Sequence, residues 1–117
     1  MKVYGIKNCD TVKKARTWLD AHGTVYEFVD FKKTSPTADE IARWCNALGV
    51  NVVLNRRGTT WKKLPESEQA RADTVQGAIA LMVAHTSAIK RPVVEIGSKF
   101  LIGFDKEEYQ AQFCSEI

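Results

Sequence analysis

The order of secondary structure in this chain begins with its first residues, Lys2-Val3-Tyr4-Gly5-Ile6-Lys7-Asn8-Cys9-Asp10-Thr11. The apolar run over 2–6 predicts a short strand, and the polar loop after it leads into a helix over about 11–22, which Gly23 ends. The apolar face of this helix is predicted to carry Val12, Ala15 and Leu19. A second strand is predicted over 25–31, where Asp30 interrupts the apolar pattern. The opening segment is therefore a βαβ unit.

The middle of the chain has helical signals. Thr37-Ala38-Asp39-Glu40 has the sequence of a capping box, which predicts a helix from Thr37 as N-cap to about Leu48. A basic, turn-rich segment over 55–61 leads into a short helix that Pro65 ends. A further helix is predicted over about 74–85, with an apolar stripe of Val75, Ala78, Ile79 and Met82.

The end of the chain predicts a hairpin and a helix. Arg91-Pro92 precedes a strand over 93–96, Gly97-Ser98 is a two-residue turn, and 99–103 is the return strand. Asp105 is expected to cap a last helix that carries Tyr109 and Phe113.

A βαβ half followed by a ββα half predicts an α/β protein with a mixed sheet. This arrangement matches the thioredoxin fold with a helical insertion. We expect one domain over 1–117, with a thioredoxin-like core at about 1–35 and 88–117 and the helical insertion at about 36–87.

Composition excludes several classes of protein. The 117 residues are 44% hydrophobic and 26% charged, which is ordinary for a globular domain and excludes general disorder or a disulfide-dense mini-protein. A net charge of +3 is too small to indicate nucleic-acid binding by itself. The N-terminus lacks the apolar run of a signal peptide, and we find no apolar segment of spanning length. We therefore expect a cytoplasmic protein that binds neither membrane nor nucleic acid directly.

Cys9 is the candidate nucleophile. It lies between the first strand and the first helix, where backbone N–H groups around Asn8 to Thr11 and the helix dipole favour a negatively charged sulfur. Lys7 acts in the same direction and Asp10 opposes it. Polar neighbours on both sides argue against the alternative, a small buried apolar residue. Val12 stands three residues later, so a Cys-x-x-Cys mechanism is excluded.

The other cysteines have weaker claims to chemistry. Cys45 shares its predicted helix with Ile41, Trp44 and Leu48, which favours a place in the core. Cys114 is close to the C-terminus, and a role as resolving thiol is an open alternative for it. The cysteines and histidines show no ligand spacing, so no metal site is expected.

Arg56, Arg57 and Arg91 are the candidate anion-binding residues, because guanidinium groups bind carboxylates and oxyanions through paired donors. For Arg56 and Arg57 the alternative is a solvated basic turn. Arg91 has the stronger case because Pro92 follows it directly, and a proline at the start of a strand can be cis. In thioredoxin-like folds such a proline lies against the reactive thiol.

Three segments together resemble the ArsC/Spx family, most closely its YffB-like branch. They are Tyr4-Gly5-Ile6-Lys7-Asn8-Cys9-Asp10-Thr11, Asn55-Arg56-Arg57-Gly58-Thr59-Thr60-Trp61-Lys62-Lys63-Leu64 and Ile89-Lys90-Arg91-Pro92-Val93. The resemblance covers essentially the whole chain and implies a thioredoxin-like fold with a helical insertion. It also implies that Cys9 is the reactive cysteine and that Arg91 and Pro92 match the family's arginine and cis-proline.

The resemblance implies three functions, which the sequence leaves open. YffB-like proteins are suggested to be glutathione-dependent thiol reductases, and this is our leading hypothesis, with glutathione as co-substrate and no bound cofactor. Arsenate reductases of the family use glutathione and glutaredoxin, but they carry a further arginine where this chain has Gly103. Spx proteins are regulators that bind the RNA polymerase α subunit and often carry the Cys-x-x-Cys switch that Val12 breaks here.

In the leading hypothesis, Cys9 attacks a disulfide as thiolate and a second glutathione resolves the mixed disulfide. Arg91, with Arg57 or Arg56, would bind a carboxylate of glutathione.

Overall fold

A four-stranded mixed sheet lies at the centre of the computed structural model, which describes residues 1–113. The strands are β1 (Lys2–Gly5), β2 (Glu27–Asp30), β3 (Val93–Ile96) and β4 (Lys99–Ile102), in the spatial order β2-β1-β3-β4. Strand β1 is parallel to β2 and antiparallel to β3, and β3 is antiparallel to β4. The predicted mixed sheet and its βαβ–ββα order are confirmed.

Helix α1 (Asp10–Ala21) connects β1 to β2 and packs closely on the sheet. A Cβ atom added to Gly5 would lie 2.9 Å from Cγ2 of Val12, so a larger residue at the end of β1 would displace the start of the helix. The helix buries Val12, Ala15, Trp18 and Leu19. The end of β1 and the first turn of α1 are therefore in close contact on either side of the Cys9 loop.

The second strand is shorter than the sequence predicts. Its pairing with β1 begins at Glu27, and Val25 is 90% exposed, so the predicted start of the strand is wrong. Phe31 is buried just beyond the strand, and its backbone N–H donates to the carbonyl of Gly5 at 2.8 Å. The apolar pattern over 25–31 therefore includes Val25, which lies in the loop before the strand, as well as the buried Phe31.

The chain between β2 and β3 is mostly helical. It forms α2 (Ala38–Leu48), α3 (Val50–Val53), α4 (Thr59–Lys63), α5 (Glu66–Gln69) and α6 (Val75–Ala84), with 3₁₀ turns at Ala70–Asp73 and Thr86–Ala88. The capping box at the start of α2 is present, because the Thr37 hydroxyl accepts from the Glu40 N–H and the Glu40 carboxylate accepts from the Thr37 N–H. Within residues 1–113, no helix has both the length and the apolar character needed to cross a membrane.

Helix α7 (Lys106–Phe113) begins where the sequence predicts. The Asp105 carboxylate accepts from the backbone N–H groups of Glu107 at 3.0 Å and Glu108 at 3.2 Å. Cys114, the alternative resolving thiol, lies outside the described residues.

The sheet separates two apolar clusters, because successive side chains of a strand point to opposite faces. Val3 and Val94 face α1 and α7, where they join a cluster with Leu19 and Tyr109. Tyr4 and Val93 face the helices of the insertion, in a larger cluster that includes Trp44, Leu54, Leu81 and Met82. Both layers therefore rest on the same two central strands.

Candidate active site

Cys9 is the N-cap residue of α1 and is partly exposed. Its backbone is extended (φ −144°, ψ 123°) and its carbonyl accepts the first helical hydrogen bond, from the Lys13 N–H at 2.9 Å. No side chain caps the first turn. The thiol therefore stands beside backbone N–H groups of α1 that lack a side-chain acceptor, where a negative charge is favoured.

Cys45 lies in the opposite kind of environment. It is on α2 inside the apolar cluster on the insertion side of the sheet, as the sequence predicts. Burial raises the pKa of the Cys45 thiol above its ordinary value. Of the two thiols in residues 1–113, Cys9 is the one that solvent reaches more freely.

Arg91 is held beside the sheet by its neighbours. The Arg91–Pro92 peptide bond is cis, and Pro92 is buried at the start of β3. The Arg91 Nη1 donates to the carbonyl of Ser87 at 3.0 Å and, more weakly, to that of Ile89 at 3.4 Å. Its Nε is buried without a hydrogen-bond partner. The guanidinium orientation is thus set by backbone carbonyls before any ligand binds.

Cys9 and Arg91 line one cavity of about 620 Å³. This volume lies within the range of about 300–1,000 Å³ that is usual for small-molecule sites. Thr11, Lys90 and Gly103 also line the cavity. The structure therefore brings together three of the candidate residues named from sequence: Cys9, Thr11 and Arg91.

Arg56 and Arg57 line a neighbouring groove rather than the Cys9 cavity. The Arg56 guanidinium donates to the Asn51 side-chain oxygen at 2.6 Å and lies 5.4 Å from the Trp61 ring centroid. Asn55 and Lys90 line both the groove and the cavity, so the two spaces adjoin. Asn8 is exposed and does not line the cavity.

Sequence reasoning missed Lys90, Asn55 and the acidic residues Asp105 and Glu108, all of which line the cavity. Their place depends on tertiary contacts. The Asn55 N–H donates to the Ala88 carbonyl and the Lys90 N–H to the Val53 carbonyl, each at 2.8 Å. This short bridge joins the basic turn to the segment before Pro92. The one sequence signal for these cavity residues is that Lys90 is next to Arg91.

No group of three or more His, Cys, Asp or Glu residues in the described part of the chain is arranged to hold a metal ion. The side chains that line the cavity include a thiol and charged groups.

The sheet carries a partly exposed cysteine at its first β–α junction, in one cavity with the residue before a cis-proline. These features define a protein of the thioredoxin-like class with an accessible thiol. The sequence model of the ArsC family matches residues 4–112, and the chain belongs to that family.

Relatives span nearly the whole chain. A solved structure of the YffB protein is 48% identical, covers 96% of this chain and 97% of its own, and superposes with a TM-score of 0.90. An arsenate reductase (ArsC) related protein from Brucella melitensis is 44% identical over 96% of this chain and 92% of its own, with a TM-score of 0.74. An uncharacterized protein of Haemophilus influenzae is 38% identical over 96% of this chain and 97% of its own.

A more distant relative is the global transcriptional regulator Spx of Streptococcus mutans, 24% identical over 89% of this chain and 76% of its own length. The family thus includes both arsenate reductase-like proteins and regulators. The thiol-redox fold is common to the chain and these relatives.

Proposed function

We propose that this protein is a glutathione-dependent thiol–disulfide reductase in which Cys9 is the nucleophile. The observation that supports this most directly is that Cys9, without a capping partner at the start of α1, shares a cavity of ligand size with Arg91. The dipole at the start of a helix attracts anionic groups. The cavity also offers cationic groups that suit an anionic tripeptide.

The proposed cycle balances with glutathione as the reductant. The Cys9 thiolate attacks the glutathione sulfur of a glutathionylated substrate, the S–S bond breaks, and the substrate leaves as a thiolate that takes up a proton. Cys9 is then in a mixed disulfide with glutathione. The thiolate of a second glutathione attacks the glutathione sulfur of that disulfide, which releases oxidised glutathione and restores the Cys9 thiolate. No second cysteine of the chain is needed.

Arg91 is proposed to bind a carboxylate of the glutathione moiety. Its Nη1 is already engaged by the Ser87 and Ile89 carbonyls, which holds the guanidinium in place. The buried Nε has no partner, and buried donors are rarely left so. An anionic ligand beside the guanidinium offsets that cost through charge attraction.

The test compares reduction of a glutathionylated peptide by glutathione with wild-type protein, Cys9→Ser and Cys45→Ala. We expect Cys9→Ser to lower the rate at least about a hundredfold, because the hydroxyl is not a nucleophile at neutral pH. Cys45→Ala is the matched control and should keep the rate, provided circular dichroism shows that it is folded. Equal rates for wild type and Cys9→Ser contradict the proposal.

Arsenate reduction by the same thiol is the second candidate, because the Brucella melitensis relative is described as arsenate reductase related. Gly103, in place of the family's arginine, weighs against it. Arsenate-dependent oxidation of glutathione in the presence of glutaredoxin, lost in Arg91→Ala, would favour this function over the first.

A regulator that docks on RNA polymerase is the third candidate, since Spx is a relative. Its mark would be co-purification with the polymerase α subunit that survives Cys9→Ala. A disulfide reductase has no need of that complex.

A further inference from the structure

Gly103 lines the Cys9 cavity, and its backbone is held by two hydrogen bonds. Its N–H donates to the Pro92 carbonyl at 2.8 Å, and its carbonyl accepts from the buried Tyr109 hydroxyl at 2.8 Å. Its φ of +74° is in the left-handed region, which residues other than glycine rarely adopt. The backbone at this position is therefore tied to the cis-proline segment and to α7.

The side chain of Lys90 occupies the space beside Gly103. A Cβ atom at position 103 would lie 3.2 Å from the Lys90 Cε and 3.7 Å from its Nζ. The backbone of Lys90 is itself held, because its N–H donates to the Val53 carbonyl. The glycine and the lysine are thus complementary: a side chain at 103 would contact the end of the Lys90 chain.

Lys90 has no ion-pair partner among residues 1–113. The pairs found there involve Arg43 with Glu95, and Glu68 with Arg71 and His85. The ammonium group therefore forms no salt bridge there, and Lys90 lines the cavity together with Cys9 and Arg91.

The lining of the cavity carries charges of both signs. Besides Lys90 and Arg91, its lining includes the carboxylates of Asp105 and Glu108. Glutathione has an isolated carboxylate on its glycyl end and both an ammonium and a carboxylate on its γ-glutamyl end. The glycyl end is a net anion, whereas the γ-glutamyl end is a zwitterion without net charge, so an ammonium group attracts the glycyl end more strongly.

We infer that Lys90 binds the glycyl carboxylate of the glutathione moiety, with the end of its side chain held beside Gly103. This assignment rests on the proposed reductase function and adds to it a residue that determines the choice of substrate. Lysine acts as a compact point charge on a long stem, so it favours an anionic end group without imposing the planar geometry of an arginine. Neutral disulfides gain nothing from it.

The experiment measures kcat/KM on two peptides, one carrying glutathione and one carrying its glycyl ethyl ester, which lacks that carboxylate. Wild-type protein should prefer the free acid about three- to tenfold, the range of one partly exposed charged contact. Lys90→Gln should lose this preference and treat both peptides as wild type treats the ester. Lys90→Arg, which keeps the charge, should restore most of it.

Lys99→Gln is the matched control, because Lys99 is exposed in β4 and does not line the cavity. It should keep the wild-type preference. An unchanged preference in Lys90→Gln overturns the assignment while leaving the reductase function intact. If Lys90→Gln lowers turnover of both peptides equally, Lys90 acts on another part of the ligand and the assignment is likewise wrong. If the wild-type protein turns over neither peptide, the proposed reductase function itself is wrong.

Discussion

Cys9 and Cys45 are the same residue type in surroundings that predict different reactivity. Cys9 is partly exposed at a helix start, whereas Cys45 is buried on α2 among apolar side chains. Desolvation raises the pKa of Cys45, so less of it is thiolate at neutral pH. Because thiolates are the reactive form, the two cysteines should differ in the rate of alkylation.

We expect iodoacetamide at pH 7 to alkylate Cys9 at least about tenfold faster than Cys45 in the folded protein. Peptide mass mapping at timed intervals measures each site separately. In urea, where burial is removed, the two rates should converge. Faster modification of Cys45 in the folded state would contradict the surroundings described for it.

At the scale of elements, the helix caps and the hairpin turn predicted from the sequence are present in the structure. The capping box at Thr37, the turn at Gly97-Ser98 and the cap at Asp105 each act within four residues, so their outcome could be predicted. Helices α3 and α5 were not predicted, because four residues are too few to show a helical period.

We expect the Thr37 cap of α2 to contribute measurably to the free energy of unfolding. Removing the hydroxyl in Thr37→Ala leaves the Glu40 N–H without its side-chain acceptor and should lower the free energy of unfolding by about 1 kcal/mol. Urea unfolding followed by circular dichroism measures it. The proposed reductase activity should stay, because Thr37 is exposed and does not line the Cys9 cavity.

Thr34→Ala is the control for this substitution, since Thr34 is exposed and lies before the helix. An equal loss of stability in both variants would mean that the cap contributes nothing of its own.

The candidate site shows where sequence reasoning ends. Cys9 and Arg91 could be found because each has a local mark, a β–α junction and a following proline. Lys90 could not be assigned, because its contact with Gly103 joins positions thirteen apart through the hairpin. Arg56 is equally basic in sequence, yet its side chain turns to Asn51 and Trp61.

At the scale of the whole molecule, one polar network joins the sheet to the insertion. The Glu95 carboxylate on β3 accepts from the Tyr4 hydroxyl on β1 at 2.9 Å and from the Arg43 guanidinium on α2 at 3.2 Å. Burial alone would raise the pKa of Glu95, but these two donors outweigh it and hold the pKa below its usual value. The ionised carboxylate is therefore stabilised in the folded state.

This lowered pKa gives the stability a definite pH dependence. A carboxylate with a lower pKa in the folded than in the unfolded state stabilises the native state above its unfolded pKa of about 4.3, and the contribution is lost as the pH falls through the folded pKa.

Glu95→Gln should therefore lower the free energy of unfolding at pH 7 by about 1 kcal/mol, a value reduced by the exposure of Arg43. Urea unfolding at pH 7 and at pH 3 measures both variants. The difference between them should shrink at the lower pH, where the native carboxylate gains its proton. Glu27→Gln is the control, because Glu27 is exposed on the edge strand β2 and takes no part in this network, so its effect on the free energy of unfolding at pH 7 should be small. If the gap between wild type and Glu95→Gln instead widens on acidification, the network does not stabilise the charged carboxylate, and the link between the sheet and the insertion must rest on apolar packing alone.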